Sequence, residues 1–503
     1  MSAQPLSTAI HQIPQAWARS APDAVCLHEA ERTLTYGGLW REIERAAHWM
    51  QAQGVRAGQR VLIVGENSAE MVVALFACSL MGAWAVGVNA RLSPRELATI
   101  GEHAEPALTV YTARVSPAAA AHAEAAGALA VPLEGTAGAL RYVAHPGTVS
   151  ETGPLAHQVA ALIYTSGTTG APKGVMVSHR GLLHFARVSA ESRSLSAHDV
   201  AYAALPLSHI FGLATVLMAT LHAGASLCLR AQFDAGDVFR ALEAPGISML
   251  QGVPTMFNRI LAAAPERAAL KAPRLRYVYT GGAPLDPSLK RDVQAYFGLP
   301  LHHGYGITEY AGSLCITRED APRSDCSAGH AVQDVELHIG PLDAPARAPG
   351  EPGDIHVRGP GVMLGYYRNP EQTAAAILPG GWLATGDIGY LDDDGALFIS
   401  GRSKDLIIRS GFNVYPIEVE AVINAYPGVR QSAVLGVPEA GGNESVVAFV
   451  ETLPGVEVDL SALGTYLRSQ LAPYKRPAAL LAIDAIPTTL SGKIQKQSLR
   501  ARL

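Results

Sequence analysis

Apolar positions early in the chain fall into two alternating rhythms. Residues 36–53 carry them at the spacing of an amphipathic helix, and residues 60–64 gather them into a short unbroken run. The pair then repeats, with 68–81 reading as a helix and 84–88 as a strand. Such alternation predicts largely parallel sheets covered by helices on both faces. Residues 71–88 lack charge over about 18 positions, the threshold for a membrane span. They contain Ser79, Gly82 and Gly87, and the break at Gly82 divides them into a buried helix and a buried strand at 83–88. No transmembrane segment is expected. The Ala-rich stretch 117–130 reads as a plain surface helix, and 341–353 as a turn-rich break. Short glycine-bounded strands follow at 355–357 and 396–400.

The charged segment Gly401-Arg402-Ser403-Lys404-Asp405 then punctuates the chain. Beyond it, 406–408, 417–424, 432–437, 446–451 and 460–470 form a separate strand–helix pattern of domain size. No internal repeat is seen. The expected fold is α/β. A large N-terminal domain (1–401) has mostly parallel sheets with helices on both faces plus a strand-rich subdomain, and a small mobile α+β domain (402–503) follows.

Composition narrows the function classes. At 503 residues and 49% hydrophobic the chain is a packed globular protein of several domains. Its 39 Lys plus Arg against 44 Asp plus Glu give a net charge of −5. With no basic stripe, nucleic acid is excluded as the main partner. The five cysteines (26, 78, 228, 315, 326) are odd in number and lack CxxC spacing, which fits a reducing cytosol and offers no zinc site. No signal peptide is visible, so a cytoplasmic location is expected. Ala501-Arg502-Leu503 is a conservative variant of the Ser-Lys-Leu peroxisomal address. In an Ala- and Arg-rich chain, coincidence is the stronger reading.

Candidate chemistry centres on residues 160–177. An apolar strand at 160–164 runs into Thr165-Ser166-Gly167-Thr168-Thr169-Gly170, followed by Ala171-Pro172-Lys173-Gly174. Glycines allow close backbone approach, and N–H groups with hydroxyls can converge on an anion. Lys173 adds a point charge suited to polyphosphate. This is not a Walker loop, because Gly174 stands where Ser or Thr is required. A flexible Ser/Gly linker is the bland reading, but linkers do not usually lie between two apolar runs. Other clusters suit a nucleotide. Tyr279-Thr280-Gly281-Gly282-Ala283 offers bare backbone to a planar base. His303-Gly304-Tyr305-Gly306-Ile307-Thr308-Glu309 supplies an aromatic face, a hydroxyl and a carboxylate for Mg²⁺. Asp387, placed after a turn in residues 382–387, suits two ribose hydroxyls. Each is weak alone and strong in combination.

From about residue 15 to its end, the chain resembles the adenylate-forming superfamily of acyl-CoA synthetases, adenylation domains and luciferases. The resemblance implies that Thr165 to Lys173 (Thr165, Ser166, Gly167, Thr168, Thr169, Gly170, Lys173) holds phosphate. It implies that His209 of Pro206-Leu207-Ser208-His209 flanks the acyl pocket, and that Gly281, Gly282, Ala283, Gly304, Tyr305 and Gly306 form the adenine site. Thr308 would touch the α-phosphate, Glu309 would hold Mg²⁺, and Asp387 with Arg402 would bind ribose. Lys404 matches the hinge, Ser410-Gly411-Phe412-Asn413 the pantetheine loop, and Lys493 the adenylation lysine. Phe412 after Gly411 and the Asn443-Glu444 pair depart from the commoner pattern, which bears on CoA contacts and not on the reaction. ATP, Mg²⁺ and coenzyme A are the implied cofactor and co-substrates, and a homodimer is admitted.

The implied reaction has two steps. A carboxylate attacks the α-phosphate of ATP to give acyl-AMP and pyrophosphate, and a thiol, expected to be that of CoA, then displaces AMP. Rival readings are an amino-acid-activating adenylation domain and an acyl-AMP ligase that loads a carrier protein. The first usually carries an Asp near its counterpart of His209, where this chain has Ser208-His209-Ile210-Phe211-Gly212. Inability to use CoA would reveal the second. Phe211, Gly212, Leu213, Gly304, Gly306, Ala311 and Gly312 make the expected acyl surroundings apolar or small. No arginine lies in those segments, which disfavours short diacids and favours a fatty or aromatic monocarboxylic acid.

Overall fold

The computed structural model describes residues 8–29, 32–132, 140–165, 173–409, 412–439, 443–489 and 493–503. Among the described residues the strands form five sheets, two of them large. In the seven-stranded sheet, Arg60–Gly65, Trp84–Asn89, Leu108–Thr112 and Val159–Thr165 run parallel. In the nine-stranded sheet the parallel core runs from Val25–His28 through Ser226–Leu229, Val200–Ala203, Met249–Gly252 and Tyr277–Gly281 to Leu301–Ile307. Antiparallel strands flank these parallel cores, and two of them come from hairpins. Lys173–Ser178 folds back on Val159–Thr165, and Gly312–Ile316 on Leu301–Ile307.

Local sequence accounts for the early elements. The Thr35 hydroxyl accepts the Gly38 N–H and starts helix Tyr36–Ala52, whose Leu39, Ile43, Ala46 and Met50 are buried on one face. Ser68 caps Ala69–Met81 in the same way, and Gly82 ends it at φ 69°, a left-handed value that glycine adopts at little cost. Strand Trp84–Asn89 follows, so residues 71–88 form a helix and a strand as expected. No described helix is long and apolar enough to cross a membrane. The reading of 117–130 needs correction. The helix spans only Pro117–Ala125. Gly127, at φ 61°, then turns the chain into the short strand Leu129–Ala130, which pairs with Leu140–Ala144.

A five-stranded antiparallel sheet carries Gly353–Arg358, Trp382–Leu391 and Leu397–Arg402. Asp387 lies inside a ten-residue strand and not after a turn. Gly386, at φ 74°, bends the strand there, and the Thr385 hydroxyl accepts the Asp387 N–H at 3.1 Å. Beyond residue 406, strands Val429–Pro438, Glu444–Thr452 and Ala479–Ala482 form a sheet against helices Pro416–Asn424 and Leu460–Gln470. None of the described apolar clusters mixes residues from the two sides of 401–406.

Candidate functional site

Antiparallel pairing sets Thr165 directly opposite Lys173 at the end of the two strands that residues 166–172 connect. Ser166, Gly167, Thr168, Thr169 and Gly170, expected to cradle phosphate, lie outside the described residues, as do Ser410 and Gly411. The Lys173 ammonium stands 5.1 Å from the centre of the Tyr366 ring. The Tyr366 hydroxyl donates to Glu309 Oε1 at 2.9 Å. Burial first, and the Glu309 charge second, push the Tyr366 phenol well up, so it stays a donor. Backbone bonds lock the pair in place: Met363 N–H reaches Glu309 O at 2.8 Å, and Tyr367 N–H reaches Gly174 O at 2.7 Å. Sequence reading missed Tyr366. Its only signal is a doubled tyrosine after Gly365, and its partners lie far away along the chain.

Parallel pairing brings Gly281 beside Gly304. A Cβ on Gly304 would stand 2.1 Å from Tyr279 Oη, and one on Gly306 would stand 2.3 Å from Gly312 O. Both positions therefore need glycine for packing, whatever base they face. Gly282 sits at φ 78°, with Ala283 next to it. Thr308 is buried at the start of the single turn Thr308–Tyr310, which also carries Glu309. Tyr305 donates to Asp387 Oδ2 at 2.5 Å, and Arg402 Nε lies 3.2 Å from Asp387 Oδ1. Asp387 is buried and Arg402 is its register partner on the next strand. A buried carboxylate with a phenol and a guanidinium is thus fixed at the edge of the cleft.

Lys493 arrives from the C-terminal part. Thr489 N–H donates to Lys493 O at 2.7 Å, and Lys493 N–H donates to Thr489 Oγ1 at 3.0 Å, which fixes the base of a small hairpin. Its side chain lines a small pocket together with Leu205, Pro206, His209, Phe211, Gly212, Val253 and Gly282. Burial holds the ammonium below the usual lysine range. The Arg402 cation acts in the same direction, and Asp387 and Glu309 oppose it. Burial lowers the His209 ring to about 3, and the Lys493 charge adds to the effect. His209 is therefore neutral, with its Nδ1 accepting the Phe211 N–H at 3.3 Å. Lys404 lies exposed in the turn Ser403–Asp405, and Lys173, Arg402 and Asp387 all act on its charge. Lys173, Arg402, Lys404 and Lys493 against Glu309, Asp387 and Asp405 leave an excess of cations, which makes the cleft a fit for a polyanion.

For a magnesium ion, the donor set is one carboxylate. Among the described residues no group of three or more His, Cys, Asp or Glu is arranged for a metal. Glu309 suits Mg²⁺ held mainly by phosphate oxygens and water, the usual protein mode for that ion. A further polar group escaped the sequence reading. Arg193 lies outside the segments expected to surround the acyl group and is fully buried, with its guanidinium 4.7 Å from the Tyr279 ring centre.

Known proteins bear directly on this arrangement. The family model described as AMP-binding enzyme matches residues 14–367, and that described as AMP-binding enzyme C-terminal domain matches 418–493. A feruloyl-CoA synthase from Amycolatopsis sp is 38% identical, over 96% of this chain and 97% of that protein. A long-chain-fatty-acid–CoA ligase, FadD13, of Mycobacterium tuberculosis is 33% identical, over 93% of this chain and 92% of its own. The crystal structure of ATP-bound MatB from Rhodopseudomonas palustris superposes with a TM-score of 0.85 at 30% identity, covering 98% of both chains. Matches of this length, with a lysine-bearing C-terminal hairpin closing on a glycine-lined cleft, admit one placement: the chain belongs to the AMP-binding enzymes and is an acid–thiol ligase.

Proposed function

We propose that this ligase activates an aromatic carboxylic acid with ATP and transfers the acyl group to coenzyme A. The observation that carries the reading is a pocket shared by Lys493, His209, Phe211 and Gly282. A cation and a neutral imidazole occupy a space otherwise lined by Leu205, Pro206, Phe211, Gly212 and Val253, so a carboxylate has one polar place to settle. An apolar body then lies along the ring of Phe211. The 38% identity to a feruloyl-CoA synthase supports an aromatic acid over a fatty one.

In this reading the acid is already ionised and needs no base. Its oxygen attacks the α-phosphate, and the bond to the leaving pyrophosphate breaks. Lys493 steadies the charge between carboxylate and α-phosphate, Lys173 steadies the pyrophosphate, and both are preorganised cations in a partly desolvated cleft. Thr165 and the phosphate loop hold the β- and γ-phosphates, and Thr308 donates to the α-phosphate. Asp387, oriented by Tyr305 and Arg402, accepts the ribose hydroxyls, and Gly281, Gly282, Ala283, Gly304 and Gly306 give the base its flat seat. A magnesium ion on Glu309 would neutralise phosphate charge.

CoA thiol then attacks the acyl carbon and AMP leaves. Lys493 blocks that approach in the arrangement described, so the unit 402–503 turns about Lys404 against 1–401 and brings Ser410 and Gly411 to the pantetheine arm. Pyrophosphate release measured over a panel of carboxylic acids, with and without CoA, tests the reading. It predicts acid-dependent release with aromatic acids and thioester when CoA is present. Release without any thioester would favour transfer to a carrier protein.

A further inference from the structure

Lys493 can serve the first step only if the chain that bears it reaches the pocket in one position. Residues 487–489 and 493–495 run antiparallel: Gln495 N–H donates to Pro487 O at 2.8 Å, Thr488 bridges Ile494, and Thr489 bonds Lys493 as described above. Just before the first arm, Ile486 N–H donates to Glu451 Oε2 at 2.7 Å. Glu451, on strand Glu444–Thr452, is 2% exposed. Gln431 Nε2 donates to the same oxygen at 2.7 Å, and Arg430 Nη1 stands 2.9 Å from Glu451 Oε1. Just after the second arm, Lys496 Nζ donates to Val434 O at 3.0 Å and pairs with Glu420 Oε1 at 2.9 Å. That Glu420 oxygen also accepts the Val434 N–H at 2.8 Å.

A carboxylate withdrawn from water is costly unless donors converge on it. Position 451 lies two residues beyond Phe449, which packs with Ala433, Leu435, Ile486 and Leu499. By strand alternation it continues that face, where an apolar side chain would extend the cluster. Glutamate supplies what an apolar residue lacks, an acceptor for the Ile486 N–H. The place matters, because Pro487 follows and has no N–H to donate. Ile486 is therefore the last donor before the arm begins, and a bond to an ionised acceptor is roughly twice as strong as a neutral one. At the other end, Glu420 ties Lys496 to strand Val429–Pro438. The segment that bears Lys493 is thus held at entry and at exit by a carboxylate from the C-terminal sheet or its helix.

We propose that Glu451, together with the Glu420–Lys496 pair, positions Lys493 for the adenylation step. These residues touch no substrate and act through Lys493, by fixing where its backbone stands when the ammonium reaches the pocket beside His209 and Gly282. The inference rests on Lys493 acting in the first half-reaction. Once the ammonium has left the pocket for the second, the same anchors have no bearing on the rate. Contacts that merely held the C-terminal unit together would serve both half-reactions alike.

The test uses Glu451→Ala and Lys496→Met in the full chain, with ATP and the acid that gives the fastest pyrophosphate release. Each should lower kcat for release by roughly tenfold or more, since misplacing a catalytic group by an ångström costs up to about 10². Thioester formation from supplied acyl-AMP should stay within about threefold of wild type. Glu451→Gln keeps an oxygen for the Ile486 N–H and should recover most of the loss. In a Lys493→Ala background neither substitution should lower release further, because the group they position is gone. Lys496→Met alters a partly exposed pair and carries the same readouts where Glu451→Ala does not fold. Equal loss in both half-reactions, a further loss in the Lys493→Ala background, or release at the wild-type rate overturns the inference. Full release by Lys493→Ala alone would instead overturn the role given to Lys493 above, and this inference with it.

Discussion

Lys493→Ala separates the two half-reactions. Lys493 shares its cavity with His209 and Gly282, and Arg402, Asp387 and Glu309 all act on its charge. It is thus a fixed cation in a partly desolvated site, where one preorganised donor is worth about 10²–10³ in rate, or roughly 2.7–4 kcal/mol. The variant should lose that factor in pyrophosphate release with saturating acid and ATP. Thioester formation from supplied acyl-AMP should stay within about threefold of wild type, because a change of that size is under 1 kcal/mol. The fold should be unaffected, since the side chain ends in the cavity and the Thr489–Lys493 bonds are made by the Lys493 backbone. Stopped-flow pyrophosphate detection and a CoA-thioester assay on the same preparation decide the matter. Equal loss in both half-reactions, or no loss in the first, refutes the role.

Glu309→Gln should keep the Tyr366 hydrogen bond yet raise the Mg²⁺ concentration needed for half-maximal rate, and an unchanged titration would move the ion elsewhere. Lys404→Pro, which fixes φ in the turn Ser403–Asp405, should spare pyrophosphate release and cut thioester formation by at least ~10². Equal effects on both would remove Lys404 as the pivot. Acid should destabilise the fold: His209 is lowered to about 3 and His179 and His302 to about 4, all chiefly by burial. These folded-state values lie below the unfolded value near 6.5. The unfolded chain therefore binds more protons as pH falls below about 6.5, and each such histidine costs about 1.4 kcal/mol per pH unit. Urea unfolding at pH 7.5 and pH 5 measures this, and a His209→Asn variant should lose less than wild type.

What was legible in the sequence was mostly local. Strand Val159–Thr165, its return Lys173–Ser178 and helix Ala69–Met81 follow from short-range apolar rhythm with Ser, Thr and Gly at the ends. Asp387 was expected to be a ribose partner, and its setting was misread, because one glycine with positive φ inside a strand looks like a turn in sequence. Tyr366 and Arg193 were invisible for a different reason. Tyr366 meets Glu309 across 57 positions and Arg193 meets Gln251 across 58, and no periodicity encodes contacts made only when sheets and helices pack. The glycines at 304 and 306 were read as ligand contacts, yet their neighbours Tyr279 and Gly312 already forbid a side chain there.

The separation of the apolar clusters at 401–406 bears on how the molecule melts as well as how it works. Two bodies with no interior in common are two cooperative units, so a calorimetric scan should resolve more than one transition. In the alternation proposed above, reorienting one against the other would draw Lys493 out of its pocket but open neither apolar core, so the roughly 25 cal/mol per Å² that opposes exposing apolar surface would be engaged only at that pocket. The balance between the proposed orientations would then rest on Lys493, Arg402 and the anions between them, so each change of charge in the cleft would also reset which orientation is the more stable.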